Sequence, residues 1–329
     1  MKEIDKEIIL VTDPWEKDTT FSLKRKDIEG NTRETAMKMV KELKLLSDRV
    51  SYFVSPILFS KYITDHKNVI VINTYYGSAK ANSKALIPSI CEVNQIPYVG
   101  ADSYTQMLCN DKYLTKKYIT DFGLNTPDGI LIRFPKHDDL NIIKSLKLPL
   151  VIKPNYGGGS NGISNKNLMT NYEEAKKLII QLAQYQNMPI LVEEYIPGYE
   201  SELVIFGNKE KIFFSEEIGL QVNGVEYFDN HLWGYEAKKQ GLYKNVLVPT
   251  THISTEDLAK MIKLFQSFEK AEIMRIDCRI HNETAYILEL SPDCYLGPTG
   301  GVAQAFANNH VKYSHMFRHL ILNSLHQLN

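Results

Sequence analysis

The chain has 329 residues, 38 lysines and arginines against 39 aspartates and glutamates, and 43% apolar residues. That is the balance of an ordinary globular protein long enough for two or three packed lobes. The net charge of −1 gives no general affinity for nucleic acid or an anionic membrane surface, and no run of 18 apolar residues is present to span a bilayer.

The N-terminus, MKEIDKEIILV, carries three acidic residues before a short apolar run. It reads as a first strand, Ile8 to Thr12, and not as a signal peptide. A helix follows from Thr32 to Leu46, with Ala36, Met39, Val40, Leu43 and Leu46 at helical spacing. Ser51 to Val54 and Val69 to Asn73 are strands, the second apolar on both faces. Ser83 to Val93 is a helix. Strands alternating with helices imply a parallel sheet with helices outside it. Ser103 to Asp121 reads as one helix, stopped by Gly123, and Thr126-Pro127 opens a new segment. Two strands then bracket a Gly-rich loop and a helix from Asn171 to Gln186. Ile190 to Asn208 is strand, turn and strand. The remainder is mainly antiparallel, with a helix from Thr255 to Lys270, a hairpin, and a C-terminal helix from about Val302. Cys91, Cys109, Cys278 and Cys294 show neither CxxC nor zinc spacing, which suits a reducing cytoplasm, and the nine histidines form no HxH or HExxH set.

Two stretches carry chemistry. In VIKPNYGGGSNGIS, Val151 to Ser164, an apolar run delivers Lys153 to a strand end beside a loop with four glycines in eight residues. Glycine lets backbone N–H groups approach phosphate oxygens, and a lysine beside them is a point charge for phosphate. The Walker pattern is not present. Alone, the loop equally fits a plain hairpin. In MRIDCRIHNETAYILELSPDC, strands Ile273 to Ile280 and Ala285 to Leu290 flank the turn His281 to Thr284. Arg275, Asp277 and Arg279 share one face, and Asp277 and Glu289 can face the same space. Two such carboxylates are hard oxygen ligands suited to Mg²⁺; a solvated, salt-bridged sheet face is the other reading.

Taken in order, VIKP, the Gly-rich flap, VEEYIPGYE, GYEAKK, RID and LEL resemble the D-alanine–D-alanine ligase-type ATP-grasp proteins, most clearly from about Val93 to Leu290. EVNQIPYVGADSYTQMLCNDKYLTKKYITDFGLNTP is similar to the segment that joins that family's first two lobes. The resemblance implies an α/β, three-lobed ATP-grasp fold. An N-terminal parallel α/β substrate domain would span 1–109, a central lobe with the flap 110–193, and a C-terminal lobe with metal and catalytic residues 194–329. It implies that Lys112, Lys153, Gly158, Gly159 and Ser160 hold ATP phosphates. Glu193, Glu194, Tyr195 and Ile196 would form the hinge whose backbone reads adenine, with Glu200 on the ribose. Lys238 would reach the γ-phosphate, Asp277, Glu289 and Ser291 would bind one or two Mg²⁺ (or Mn²⁺), and Arg275 would steady the acyl phosphate.

The departures cluster at the substrate end. Gly159 stands at the flap serine position, with Ser160 after it. Lys239 replaces a tyrosine that follows the γ-phosphate lysine. Glu16 and Asp18, in DPWEKDTTFSL, are candidates for a first-lobe glutamate. YYGSAKANS, ending at Ser83, replaces a histidine-glycine turn. Glu289-Leu290-Ser291 replaces Glu-x-Asn, with Asp293 an alternative ligand, and CYLGPTGG, with Gly297, replaces the tail that takes the incoming carboxylate. The resemblance implies an ATP-dependent carboxylate–amine ligase in the cytoplasm, acting on amino acids or small peptides through an acyl phosphate. The departures imply a substrate pair other than two D-alanines. A small-molecule kinase and a silent nucleotide-binding module stay open as alternatives, and a homodimer is the assembly that the family suggests.

Overall fold

The computed structural model describes residues 3–15, 30–77, 80–159, 163–232, 243–248 and 251–326. Three sheets organise them. The first is parallel, in the order β2-β1-β3-β4, from β1 (Glu7–Thr12), β2 (Val50–Phe53), β3 (Val69–Thr74) and β4 (Tyr98–Val99). Every residue of β1 and β3 is buried, as their continuous Ile/Val runs require of central strands covered on both faces. Helices α1 (Arg33–Leu46), α2 (Pro56–Asp65) and α3 (Leu86–Val93) connect them. Thr32 and Ser55 cap the first two by accepting from Thr35 N and Leu58 N. The third helix starts at Leu86 and not at Ser83, because Ser83 closes a turn on Lys80 through its hydroxyl.

The single helix expected over Ser103 to Asp121 is two: α4 (Ser103–Asn110) and α5 (Lys112–Thr120). Asp111 breaks it with a non-helical backbone (φ −89°, ψ 95°), and its carboxylate accepts Leu114 N at 3.0 Å, capping the second helix. The break makes Lys112 the first residue of α5. Gly123 stops the segment in the left-handed region at φ +68°.

The second sheet, in the order β5-β8-β6-β7, is antiparallel: β5 (Gly129–Ile132), β6 (Leu150–Pro154), β7 (Leu168–Met169) and β8 (Ile190–Glu194). It is covered by α6 (Tyr172–Gln186), capped by Asn171 and ended by Asn187 at φ +50°. Its apolar core, including Ile132, Ile152, Ile179, Leu182 and Val192, is a separate cluster.

The third sheet, in the order β12-β10-β9-β13-β14, holds β9 (Gly198–Gly207), β10 (Ile212–Val222), β12 (Tyr243–Leu247), β13 (Ile273–His281) and β14 (Thr284–Ser291), with β11 (Tyr227–Phe228) beside β9. Asn282 and Glu283, at φ +47° and +63°, form the two-residue turn of the β13–β14 hairpin. The strand-turn-strand expected over Ile190 to Asn208 is not a hairpin. β8 belongs to the second sheet and β9 to the third, and only Tyr195 to Pro197 lie between them. Gly198, at φ +144°, follows that link. A Cβ there would lie 2.2 Å from the Ile280 carbonyl oxygen, so no other residue fits without moving β13.

Helix α7 (Thr255–Gln266) ends at Ser267, shorter than expected, and the C-terminal helix is a pair, α8 (Gly301–Asn308) and α9 (Tyr313–His326). α9 packs on α1 and β4. The apolar core of the first sheet therefore runs on into the third, from Leu43 and Ile72 to Phe206, Phe306 and Phe317. A polar clamp reinforces the joint: Glu272 accepts Gly100 N at 2.7 Å, and Lys270 Nζ donates to Gly100 O at 2.7 Å and lies 4.3 Å from the Tyr98 ring centre. Among the described residues no helix is long and apolar enough to cross a membrane, and all four cysteines are buried thiols.

Candidate active site

Between the second and third sheets lies a cleft of about 140 Å³. Lys153, near the end of β6, points into it and pairs with Glu193 of β8. Lys116, from α5, pairs with the other oxygen of the same carboxylate at 2.8 Å, and also donates to Thr126 Oγ1 at 2.6 Å. Burial disfavours all three charges. At Glu193 the two lysines outweigh it and hold the carboxyl below its usual range, whereas Lys116, desolvated and beside Lys153, is left with a lowered pKa. The family resemblance implied a hinge role for Glu193 and none for Lys116. In the fold, Glu193 is the buried anchor that fixes Lys153.

The flap grows from a polar knot. Lys112 N donates to Asn155 O at 3.1 Å, Tyr113 N to Asn155 Oδ1 at 3.0 Å, and Asn155 Nδ2 to Asp111 Oδ1 at 2.8 Å. Gly157 N donates to Asn110 Oδ1 at 2.9 Å, and the Lys112 ammonium donates to Gly157 O. Asn110 and Asn155 were missed by the sequence reading, although each lies two residues from a lysine already singled out: Asn110 in NDK, and Asn155 in KPN. On the far side, Asn167 accepts Ser164 N at 2.8 Å and donates to Ile152 O at 2.7 Å. Gly158 and Gly159 hang between these anchors, Gly159 at φ +63°. Ser160 lies outside the described residues.

The link from β8 to β9 forms another wall. Glu194, Tyr195 and Ile196 line the cleft. The Glu194 and Tyr195 N–H groups donate to Asp128 O and Pro149 O, both at 2.9 Å, so neither is free to read a base edge. The Glu194 carboxylate accepts Lys147 N at 2.7 Å. Glu200 lines the cleft too, and is held by Arg279 at 2.7 and 2.9 Å. Arg279, also missed, donates further to Tyr195 Oη at 3.0 Å and to Ile196 O at 3.1 Å. It thus fastens link, strand and Glu200 together from a nearly dry site, 3% exposed. Arg279→Met leaves Glu200, whose side chain is 25% exposed, without its partner, and is expected to cost about 1–3 kcal/mol, the usual penalty of an acceptor left unsatisfied. Urea unfolding measures it, and a loss below about 1 kcal/mol would show that water already screens the pair.

Across the cleft floor runs an acidic row. Asp277 of β13 is the register partner of both Glu202 on β9 and Glu289 on β14. Arg275 grips Asp277 with a fork, Nε to Oδ1 at 2.6 Å and Nη2 to Oδ2 at 2.8 Å, and reaches Glu202 at 3.5 Å. Burial, with Glu202 and Glu289 adding to it, raises the Asp277 pKa to about 6 against the pull of Arg275. Burial also opposes ionisation at Glu289, but Lys112, Lys84, Lys153 and Arg275 overcome it and lower its pKa. Lys112 stands 3.5 Å from it. Among the described residues no three His, Cys, Asp or Glu side chains are placed to hold a metal by themselves. Two adjacent carboxylates facing Lys112 still fit Mg²⁺, which usually takes one or two carboxylates and completes its shell with water and phosphate oxygens.

Beyond this row a second cavity, of about 340 Å³, shares Gly159, Arg275 and Glu289 with the cleft. Glu202, Ser291, Asp293, Tyr76, Asn245 and the start of α8 complete its wall. Asp13, at the end of β1, accepts Tyr76 N and Gly77 N at 2.8 Å each and so sets the Tyr76 turn. Gly297 does not line the cavity. Tyr295 lies against it, and a Cβ on Gly297 would meet that ring at 2.1 Å, while Gly300 and Gly301 do line the wall. Lys238, Lys239, Glu16 and Asp18 lie outside the described residues.

A family model described as "D-ala D-ala ligase C-terminus" matches residues 119–322. Among curated relatives, the D-alanine--D-alanine ligase of Clostridium novyi is 27% identical over 62% of this chain and 60% of its own length. That of Ruminiclostridium cellulolyticum is 28% identical over 71% and 63%. The chain thus aligns with somewhat less than two thirds of the length of these relatives. A crystal structure of D-alanine--D-alanine ligase from Bacillus anthracis complexed with ATP matches with a TM-score of 0.74 over 98% of each chain, at 17% identity.

Proposed function

The chain belongs to the D-ala D-ala ligase C-terminus family and has the three-lobed ATP-grasp fold, and from that premise we propose that it is an ATP-dependent ligase joining a carboxylate to an amine. The observation that carries the proposal is the shared wall. A lysine-lined cleft and a polar cavity meet at Gly159, Arg275 and Glu289, so a phosphate in one adjoins a carboxylate in the other.

In this reading the substrate carboxylate attacks the γ-phosphorus of ATP. An acyl phosphate forms and ADP leaves. The amine then attacks the acyl carbon, phosphate leaves, and the amine gives up a proton to form the amide. Lys112, Lys153, Lys238 and the flap amides of Gly158, Gly159 and Ser160 hold phosphate. The Glu193–Ile196 link borders the base and Glu200 the ribose. Arg275 steadies the charge that builds on the transferring group. Asp277 and Glu289, with Ser291 nearby, would hold Mg²⁺, or Mn²⁺ in its place, and the ion would supply Lewis-acid charge there. The flap excludes water that would hydrolyse the acyl phosphate. The lobes 1–109, 110–193 and 194–329 divide the work into substrate binding, nucleotide covering and metal chemistry. The setting is the cytoplasm, and the substrates are free amino acids or small peptides.

Phosphate release and product mass, measured over pairs of amino acids, test this. A ligase needs both partners and yields an amide. A stable phosphorylated product from one partner would overturn it.

The substrate pair is proposed to differ from two D-alanines. Gly159 and Lys239 stand at positions where the family resemblance implies a serine and a tyrosine, and a site that lacks two hydroxyl contacts loses the strongest source of discrimination. Lys239 adds a positive charge that favours an acidic group on one substrate. With D-alanine alone, kcat/KM is expected below roughly 10⁴ M⁻¹s⁻¹, the lower end of ordinary enzymes. A higher value restores D-alanine as the substrate.

A further inference from the structure

The wall of the larger cavity includes the start of α8, and Glu202 stands against it. Gly300 has no side chain with which to cap α8, so the first turn brings uncapped N–H groups and the positive end of the helix dipole to that wall. Such an end suits a carboxylate, and it closes the CYLGPTGG tail, which stands in place of the family segment for the incoming carboxylate. Here a carboxylate of the chain itself takes the place. Glu202, on β9, is 7% exposed, and a Cβ on Gly301 would lie 2.1 Å from its Oε2. Nothing as large as a methyl group fits between them. From another side the Tyr295 ring crowds Gly300, where a Cβ would lie 2.7 Å from it.

The charges on the wall point the same way. Asp293 is paired with Lys84 of the first lobe at 2.7 Å, and Glu289 has Lys112 at 3.5 Å. Arg275 commits its fork to Asp277 and reaches Glu202 at 3.5 Å. Asn245 adds an amide oxygen with no donor among the described residues. A substrate carboxylate brought to the start of α8 meets Glu202 as a like charge at close range, which strongly disfavours it. A neutral or cationic group meets acceptors instead.

We propose that Glu202 is a specificity-determining residue that closes the start of α8 to a substrate carboxylate, so that the amine substrate carries no carboxylate beside its amine. The N-terminus of a peptide, an amino-acid amide and a diamine share that chemistry. The proposal rests on the ligase reading above and names the class of its second substrate.

Alanine and alaninamide test it, because they differ in the group beside the amine and alaninamide has no carboxylate to be activated. Either enantiomer of each is supplied with ATP and each of the common amino acids as acid partner. Phosphate release gives the rate, and tandem mass spectrometry gives the order of the product. Alaninamide is expected to react with a kcat/KM about tenfold or more above that of alanine. Glu202→Gln keeps the shape and removes the charge, and is expected to narrow the ratio to about threefold or less, chiefly by lowering KM for alanine. A merely structural defect slows both amines alike and leaves the ratio unmoved. Alanine used as well as alaninamide by the unaltered enzyme, or a ratio unmoved in a folded Glu202→Gln variant, overturns the proposal, while an amide product still supports the ligase reading. Should Glu202→Gln fail to fold by circular dichroism, Glu202→Asp, which draws the charge back from Gly301, decides, and an unmoved ratio overturns the proposal. If neither amine is turned over, calorimetry on the ADP-saturated protein replaces the rate. Alaninamide bound less than about threefold more tightly than alanine, or not bound, then overturns the proposal. No ADP binding at all overturns the nucleotide reading itself.

Discussion

Replacing Lys153 by alanine is expected to weaken nucleotide binding by about 10- to 150-fold. A hydrogen bond to a charged group contributes about 1.5–3 kcal/mol, and each 1.4 kcal/mol is tenfold in affinity. Lys153 is well placed for such a bond: it lines the cleft at the end of β6, and Glu193 fixes it from behind. The substitution has a competing effect, since Glu193 loses one of its two lysines. Lys116 remains at 2.8 Å, so the carboxylate keeps a partner and the fold should persist. Calorimetry with ADP and ATP, beside thermal unfolding without nucleotide, separates the effects. An affinity within about twofold of the parent, in a folded variant, would remove Lys153 from the phosphate site.

Arg275→Ala is expected to act on turnover instead. A preorganised donor aimed at developing charge contributes roughly 2.7–4 kcal/mol, so kcat should fall about 10²- to 10³-fold. Arg275 stands on the wall shared by the cleft and the cavity, next to Asp277 and Glu202. ADP affinity should change far less than kcat. Arg275→Lys keeps the charge but loses the planar fork that grips Asp277, and should recover only part of the rate. If kcat at saturating substrates stays within about threefold of the parent for the alanine variant, Arg275 is a structural partner of Asp277 and not a catalytic group.

Most of this arrangement was legible in the sequence where chemistry and periodicity coincide. The β13–β14 hairpin placed Asp277 opposite Glu289 because alternation along a strand fixes the face, and the structure pairs them directly. The apolar runs of β1 and β3 announced buried strands. What escaped was set by distant partners. The break at Asp111 depends on a capping bond that competes with an otherwise acceptable helical pattern, and only its outcome shows that Lys112 begins a new helix. Arg279 shares a face with Asp277 in the pattern, yet its partner Glu200 lies 79 residues away. Lys84 and Asp293 are separated by most of the chain, and nothing local marks either as buried. Asn110, at the end of α4, and Asn155, in the loop after β6, carry no local mark until the flap root brings them together.

The independent core of the second sheet has a consequence for how the molecule opens. Its buried side chains form one cluster of their own, whereas one core runs through both the first and the third sheet. Such a sheet can exchange its amide hydrogens through a local opening of lower free energy than global unfolding. A nucleotide bound between this sheet and its neighbour favours only the closed form, by about 2.7 kcal/mol at a hundred times its Kd. Amide exchange at Ile152 and Val192 should then slow by about 100-fold in saturating ADP, while Ile72, in the other core, keeps its rate. Deuterium uptake would thus report occupancy of the cleft from strands that never touch the solvent.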